Sequence, residues 1–327
     1  MSEGRRPASL IQLVILSGKG GTGKTAVTGA LAHLALQTPS IRGTVLVDAD
    51  VDAANLEILL RPVRGEETEF VGGAVARIDA ATCLACGICL DVCRFGAVKL
   101  DEDQVLYEVD PLACEGCAAC YYQCPEEAIR MIPQTAGHWF ASETAYGPLF
   151  HARLRAAQEN SGKLVSLVKE RARETGESQG AAFMIVDGPP GIGCPAIAAS
   201  SGADLALIVT EPTRAGLHDL ERAVQLTKHF RVNTLVAVNK ADLYPAGAEA
   251  ILSRCEEWGV EMAGTIPYDE AVPMAMVQRH PVTEHAPDSP ASVALRALWT
   301  RVKVALEKAG LSSGAEEILR LQVHPRS

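Results

Sequence analysis

Leu16 to Thr25 reads LSGKGGTGKT, and eight cysteines from Cys83 to Cys124 form two Cys-x2-Cys-x2-Cys-x3-Cys runs. The first pattern suits phosphate and the second suits metal. Glycines at Gly18, Gly20, Gly21 and Gly23 remove Cβ atoms where backbone N–H groups must converge on phosphate oxygens. The loop follows the apolar run Leu10 to Leu16 and precedes the helical-looking stretch Ala26 to Leu36. That is the strand, loop, helix setting a G-x-x-x-x-G-K-[ST] motif requires. A helix beginning near Lys24 adds the positive end of its dipole. Lys24 is expected to reach the terminal phosphates and Thr25 to ligate Mg2+, with Thr22 and Ala26 completing the ATP cradle. A glycine-rich turn with an accidental lysine is the plain alternative, and the flanking pattern argues against it.

The cysteine block is an internal repeat. Each cysteine of the first run recurs 31 residues later, and Ala97-Val98-Lys99-Leu100 recurs as Ala128-Ile129-Arg130-Met131. Thiolates at this spacing suit 4Fe-4S cubes, each taking three cysteines from one tight loop and a fourth from elsewhere. In two-cluster ferredoxins the fourth cysteine of each run serves the other cluster. Cluster I is therefore assigned Cys83, Cys86, Cys89 and Cys124, and cluster II is assigned Cys114, Cys117, Cys120 and Cys93. Structural zinc would leave one surplus thiolate per site, and disulfides are unexpected in a chain without an export signal. Cys124 is followed by the usual Pro125, but Cys93 is followed by Arg94, which places a cation near cluster II and is expected to raise its potential.

Lys19, one residue after the first loop glycine, makes the cradle GKGGTGKT. With it the chain resembles the MinD/Mrp/nitrogenase-iron-protein group of deviant P-loop ATPases. The resemblance implies that Lys19 reaches a partner's nucleotide in an ATP-dependent homodimer, which is the favoured reading; the residues alone also allow a second local phosphate contact. VDADVDAANL is similar to the segment that places Asp50 beside the attacking water and Mg2+, with Asp48 behind it and Asp52 left as a cap for a helix starting near Ala53. Asp187-Gly-Pro-Pro-Gly191 looks like switch II, which implies Mg2+ contact by Asp187 and γ-phosphate sensing by Gly191. Asn239 and the pair Pro267 and Asp269 match segments that flank adenine. The likeness covers Leu10 to about Arg61 and Ala182 to about Val304, with the cysteine block inserted between.

These residues need a scaffold. Apolar runs at Thr44 to Val47, Ala182 to Val186 and Thr234 to Val238 predict a doubly wound, mostly parallel α/β sheet with an inserted small α+β ferredoxin-like domain. The boundaries read as ATPase 1–66, insert 67–136, ATPase 137–310 and a tail from 311. HARLRAAQENSGKLVSLVKERARETG, with Leu154, Leu164, Leu167 and Val168, predicts an amphipathic helix after a loop near Asn160 to Gly162, and Lys163 reads as solvated. Only 5% of 327 residues are aromatic, which suits aliphatic parallel strands. A net charge of -10 without a basic run disfavours nucleic acid. No apolar stretch is long enough to span a bilayer, the N-terminus lacks an export core, and the tail AEEILRLQVHPRS promises no stable membrane binding, so the cytoplasm is expected. Cys255 reads as a packed thiol, whereas Cys194, near switch II, is a candidate ligand of a metal site bridging two protomers. The expected function is ATP hydrolysis coupled to electron transfer from two 4Fe-4S clusters to a partner metalloprotein, with cluster carriage or assembly as the alternative.

Overall fold

The computed structural model describes residues 10–101, 106–155 and 161–310. In chain order its strands are β1 (Ile11–Ser17), β2 (Thr44–Asp48), β3 (Arg64–Ile78), β4 (Val98–Asp101), β5 (Leu106–Val109), β6 (Ile129–Thr144), β7 (Gly147–Leu154), β8 (Phe183–Pro190), β9 (Leu205–Thr210), β10 (Asn233–Asn239) and β11 (Glu261–Ile266). Nine of them form one sheet in the order β11-β10-β9-β1-β8-β2-β7-β6-β3, and β4 and β5 form an antiparallel pair. From β11 across to β7 every neighbouring pair is parallel. Parallel strands need helical crossovers that cover both faces, and β1, β2 and β9 are accordingly buried at every residue. The fold is the doubly wound α/β class the apolar runs predict.

The chain divides into two compact units. One comprises residues 10–68, 139–154 and 161–310, and the other residues 69–138 with Arg155. In the first, the core joins Leu13, Ile15, Leu31, Leu46, Phe183 and Leu207 with the C-terminal helix Pro290–Lys308, whose Trp299 lies 6.1 Å from Phe183. Each such fully buried aliphatic side chain contributes about 1.5–3 kcal/mol by leaving water.

Register brings the acidic strand ends together. Asp48 on β2 lies opposite Asp187 on β8, and Ile15 on β1 lies opposite the same aspartate. The carboxyl ends of three adjacent strands thus open on one place, where α/β sheets bind ligands. Two expectations need correction. Leu154 ends strand β7, and the helix begins at Ser161, so the expected loop at 161–162 is its first turn. The helix expected from Ala53 starts at Leu56, because the Asp48 carboxylate accepts a hydrogen bond from the Leu56 N–H at 2.9 Å; Asp52 is exposed. Lys163 is exposed as expected, and Cys255 is a buried thiol whose pKa burial pushes up to about 11. The tail from 311 and the N-terminal segment before Leu10 lie outside the described residues.

The second unit repeats in three dimensions. Its short helices, Ile88–Asp91 and Ala119–Gln123, begin 31 residues apart. Left-handed backbone recurs at the same interval: Ala85 and Gly116 (φ 53 and 67), Gly87 and Ala118 (φ 85 and 60), Gly96 and Glu127 (φ 62 and 50). Alanine and glutamate accept a conformation that costs a side-chain-bearing residue on the order of 1 kcal/mol, so loop shape is kept where residue type is not. The core here is small: Ala76, Cys89, Val98, Cys120 and Ile129.

Candidate functional site

The phosphate loop occupies the turn between β1 and the helix Lys24–Leu36. Gly18, Gly20, Gly21, Thr22 and Gly23 fill that turn, and Ala26 lies in the first turn of the helix. Gly23 has φ 87, and a Cβ there would collide with the Asn239 amide, so both backbone and space demand glycine. Asn239 donates from Nδ2 to the Thr22 carbonyl at 2.8 Å and accepts from the Lys240 N–H at 3.0 Å. It thereby braces the loop.

Lys24 and Asp187 form the centre. Lys24 Nζ lies 2.9 Å from Asp187 Oδ1, and both are almost wholly buried. Thr25 Oγ1 donates to Asp187 Oδ2 at 2.7 Å, and Thr28 Oγ1 lies 2.9 Å from Oδ1. Burial alone would push the Lys24 pKa down; Asp187, with Asp48 and Asp50 beyond it, outweighs that and holds it above the ordinary lysine value. Burial raises the Asp48 and Asp50 carboxyls, with Asp187 adding to both and Lys24 opposing. Three carboxylates face one lysine, a surplus of negative charge that a divalent cation held by Thr25, Asp187 and Asp50 would balance. Thr22 Oγ1 is buried and lacks a hydrogen-bond partner, as suits a donor aimed at a phosphate oxygen. The residues present fit a magnesium nucleotide.

Lys19 is held within its own chain. Glu211, at the end of β9, binds Lys19 Nζ at 2.9 Å and Lys240 Nζ at 2.7 Å; Lys240 also reaches the Gly21 carbonyl at 3.4 Å. Burial opposes ionisation of Glu211, but the two lysines hold its carboxyl below the usual range. Sequence reasoning missed the parts played by Glu211, Lys240 and Thr28. Thr28 alone had a local signal, a hydroxyl one helical turn after Lys24. The Gly191 N–H donates to the Ser17 carbonyl at 2.8 Å, tying the segment after Asp187 to the end of β1. Pro267 follows β11 and precedes Tyr268, whose N–H binds Asp242. Asp269 accepts from the N–H groups of Ala271 and Ala291 at 2.9 and 3.0 Å, capping two helices.

In the second unit two small cavities of about 20 Å3 each are lined by four cysteines. One gathers Cys83, Cys86, Cys89 and Cys124, and the other Cys93, Cys114, Cys117 and Cys120. Each cavity takes its fourth cysteine from the other run. Backbone N–H groups point at sulfur in both: Ala85 to Cys83 at 3.4 Å, Ala128 to Cys124 at 3.3 Å, Ala97 to Cys93 at 3.3 Å and Ala76 to Cys114 at 3.5 Å. Among the described residues no three His, Cys, Asp or Glu side chains close on a single metal ion. The thiols surround a volume, and soft donors around a volume fit a cluster. Cys194 is exposed at the start of the helix Cys194–Ser200, where its backbone packs against Gly162. Among the described residues no helix is long and apolar enough to cross a membrane.

Known proteins place this geometry. An uncharacterized protein of Methanocaldococcus jannaschii is 30% identical over 71% of this chain and 78% of its own length. The solved septum site-determining protein MinD of Pyrococcus horikoshii, complexed with Mg-ADP, superposes with TM-score 0.55 over 90% of this chain and 96% of that one; at 18% identity this shows the fold. Shorter matches are one component of a Na+-translocating ferredoxin:NAD+ oxidoreductase complex of Acetobacterium woodii (38% identity, 16% of this chain, 15% of the relative) and a cytosolic Fe-S cluster assembly factor of Eremothecium gossypii (25%, 35% and 39%). The model of the CobQ/CobB/MinD/ParA nucleotide-binding domain matches residues 13–282. With its phosphate loop braced at the carboxyl ends of a parallel sheet, the chain belongs to the CobQ/CobB/MinD/ParA family of P-loop nucleotide-binding proteins.

Proposed function

We propose that the chain hydrolyses ATP and couples that turnover, through ATP-dependent dimerisation and movement of switch II, to electron transfer from two 4Fe-4S clusters to a partner metalloprotein. The observation that carries the reading is the segregation of eight cysteines into two four-thiol cavities in the crossed pattern. Residues 67–136 are the inserted ferredoxin-like domain in this reading, and residues 1–66 and 137–310 the ATPase. The clusters would supply one-electron transfer at a potential set partly by the N–H groups facing sulfur.

The chain's own residues account for the rest. Lys24 and the loop N–H groups neutralise and orient the phosphates, and Asp187 with Thr25 would hold Mg2+, which would supply further neutralisation of phosphate charge. Asp50, at the open end of β2, orients the attacking water. Lys19 leaves Glu211 to reach the partner protomer's nucleotide. Gly191, bonded to Ser17, carries the nucleotide state into the helix that begins at Cys194, the residue available to a bridging site between protomers. Catalysis of this kind rests on positioning and charge, and no covalent enzyme intermediate is required.

Cluster assembly is the second reading, favoured by the partial match to the Fe-S assembly factor and by the exposure of Cys86 and Cys117. Mixing the reduced, iron-loaded protein with MgATP and an apo-acceptor separates the two. Electron transfer predicts retained iron with a changing redox state; assembly predicts iron moving to the acceptor.

A further inference from the structure

Charge is concentrated in the second unit. Residues 69–138 carry eleven acidic and four basic side chains, so 70 residues hold -7 of the chain's -10. Such a density is no requirement for folding a small unit, since like charges crowded together oppose compaction. Asp91, Glu108, Glu115, Glu126 and Glu127 are exposed, Glu126 on the cavity lined by Cys83 and Glu115 on the cavity lined by Cys114. Among these acids lies apolar surface. Leu84 (71% exposed) and Phe95 (49%) line the two cavities, Leu112 (92%) stands two residues before Cys114, and Tyr122 (81%) follows Cys120 by two. Cys86 and Cys117 are themselves exposed, so each cavity is accessible at a thiol.

An apolar centre with a charged rim is the anatomy of a protein interface, and small interfaces of this kind serve brief electron-transfer encounters. We propose that the acidic and apolar surface around the two cysteine cavities is a docking face, and that its occupant is a redox protein presenting positive charge. The inference rests on the reading that the cavities hold 4Fe-4S clusters. Long-range attraction between the acidic rim and a cationic partner raises the encounter rate, and the exposed leucines and tyrosine supply contact once the partner arrives.

The test uses the full, iron-loaded chain, reduced and freed of excess reductant, with lysine-rich cytochrome c as the probe. One electron leaves a reduced cluster and converts one ferric haem to ferrous, with no bond made or broken. At low ionic strength native cytochrome c should be reduced at least about tenfold faster than its succinylated, anionic form, with the gap closing near 0.5 M salt. The triple variant Asp91→Asn, Glu108→Gln, Glu127→Gln should lose at least about threefold of the native rate at unchanged iron content. A control triple on the first unit, Glu170→Gln, Glu249→Gln, Glu307→Gln, should not. Iron-loaded protein that reduces both cytochromes alike, or a control triple that slows the reaction equally, overturns the docking face alone. A chain that binds no iron overturns the cluster reading with it.

Discussion

The two sites hold their working groups in different ways. In the nucleotide cradle each lysine has an acid placed for it by the large sheet: Lys24 meets Asp187, and Lys19 and Lys240 meet Glu211. In the second unit eight thiols surround two cavities on a core of five buried residues, with backbone N–H groups as the polar contacts to sulfur. A site fixed by parallel strands is preorganised by distant packing. On the proposed reading, a site in a small repeat depends on the clusters it holds, as small metal-binding units generally do. That contrast predicts how each should fail.

The largest effect should come from Asp187→Asn. It keeps the shape but removes the charge shared by Lys24, Thr25 and Thr28, and kcat for ATP should fall by about 10²-fold or more. Steady-state phosphate release measures it, and near-normal turnover would detach Asp187 from the chemistry. Next, removing iron by chelation should abolish hydrogen-exchange protection in residues 69–138 while β1, β8 and β9 keep theirs; loss in both would erase the contrast. Glu211→Gln should act more mildly. It frees two lysines from the loop, and the KM for ATP should shift by roughly fivefold, about 1 kcal/mol, with kcat less affected.

Asp269→Ala should have the smallest effect, about 1 kcal/mol of stability. The Ala291 N–H, helped by the Ala271 N–H and the Ser289 hydroxyl and opposed by burial, holds the Asp269 carboxyl below the usual range. A depressed carboxylate stabilises the fold above its unfolded value near 3.9 and loses that contribution as pH falls through the folded value. Urea midpoints of wild type and variant should therefore differ at pH 7 and converge at low pH.

How much could be read in advance follows the same division. The phosphate loop and the crossed cysteine sets were legible because each is written within a short stretch, one as a ten-residue motif and the other as a 31-residue period. The parallel sheet was legible from aliphatic runs such as LVILS and MIVDG. The long strands β3 and β6 were not, since polar runs such as RGEETEF carry little apolar alternation. Glu211 and Lys240 were invisible as a brace for another reason: Lys19, which shares Glu211 with Lys240, is about 200 residues away, and only the order β10-β9-β1 brings them together. Asp48 could be suspected as an acid at a strand end. Its capping of the Leu56 helix required the register to be known.

The most direct test of the coupled reading is iron counting and EPR of the anaerobically isolated chain, with and without MgATP. About eight iron atoms per chain and a reduced-cluster signal that changes on MgATP are the predicted result. An iron-free protein that hydrolyses ATP at the same rate after all eight repeat cysteines are changed to serine would contradict it.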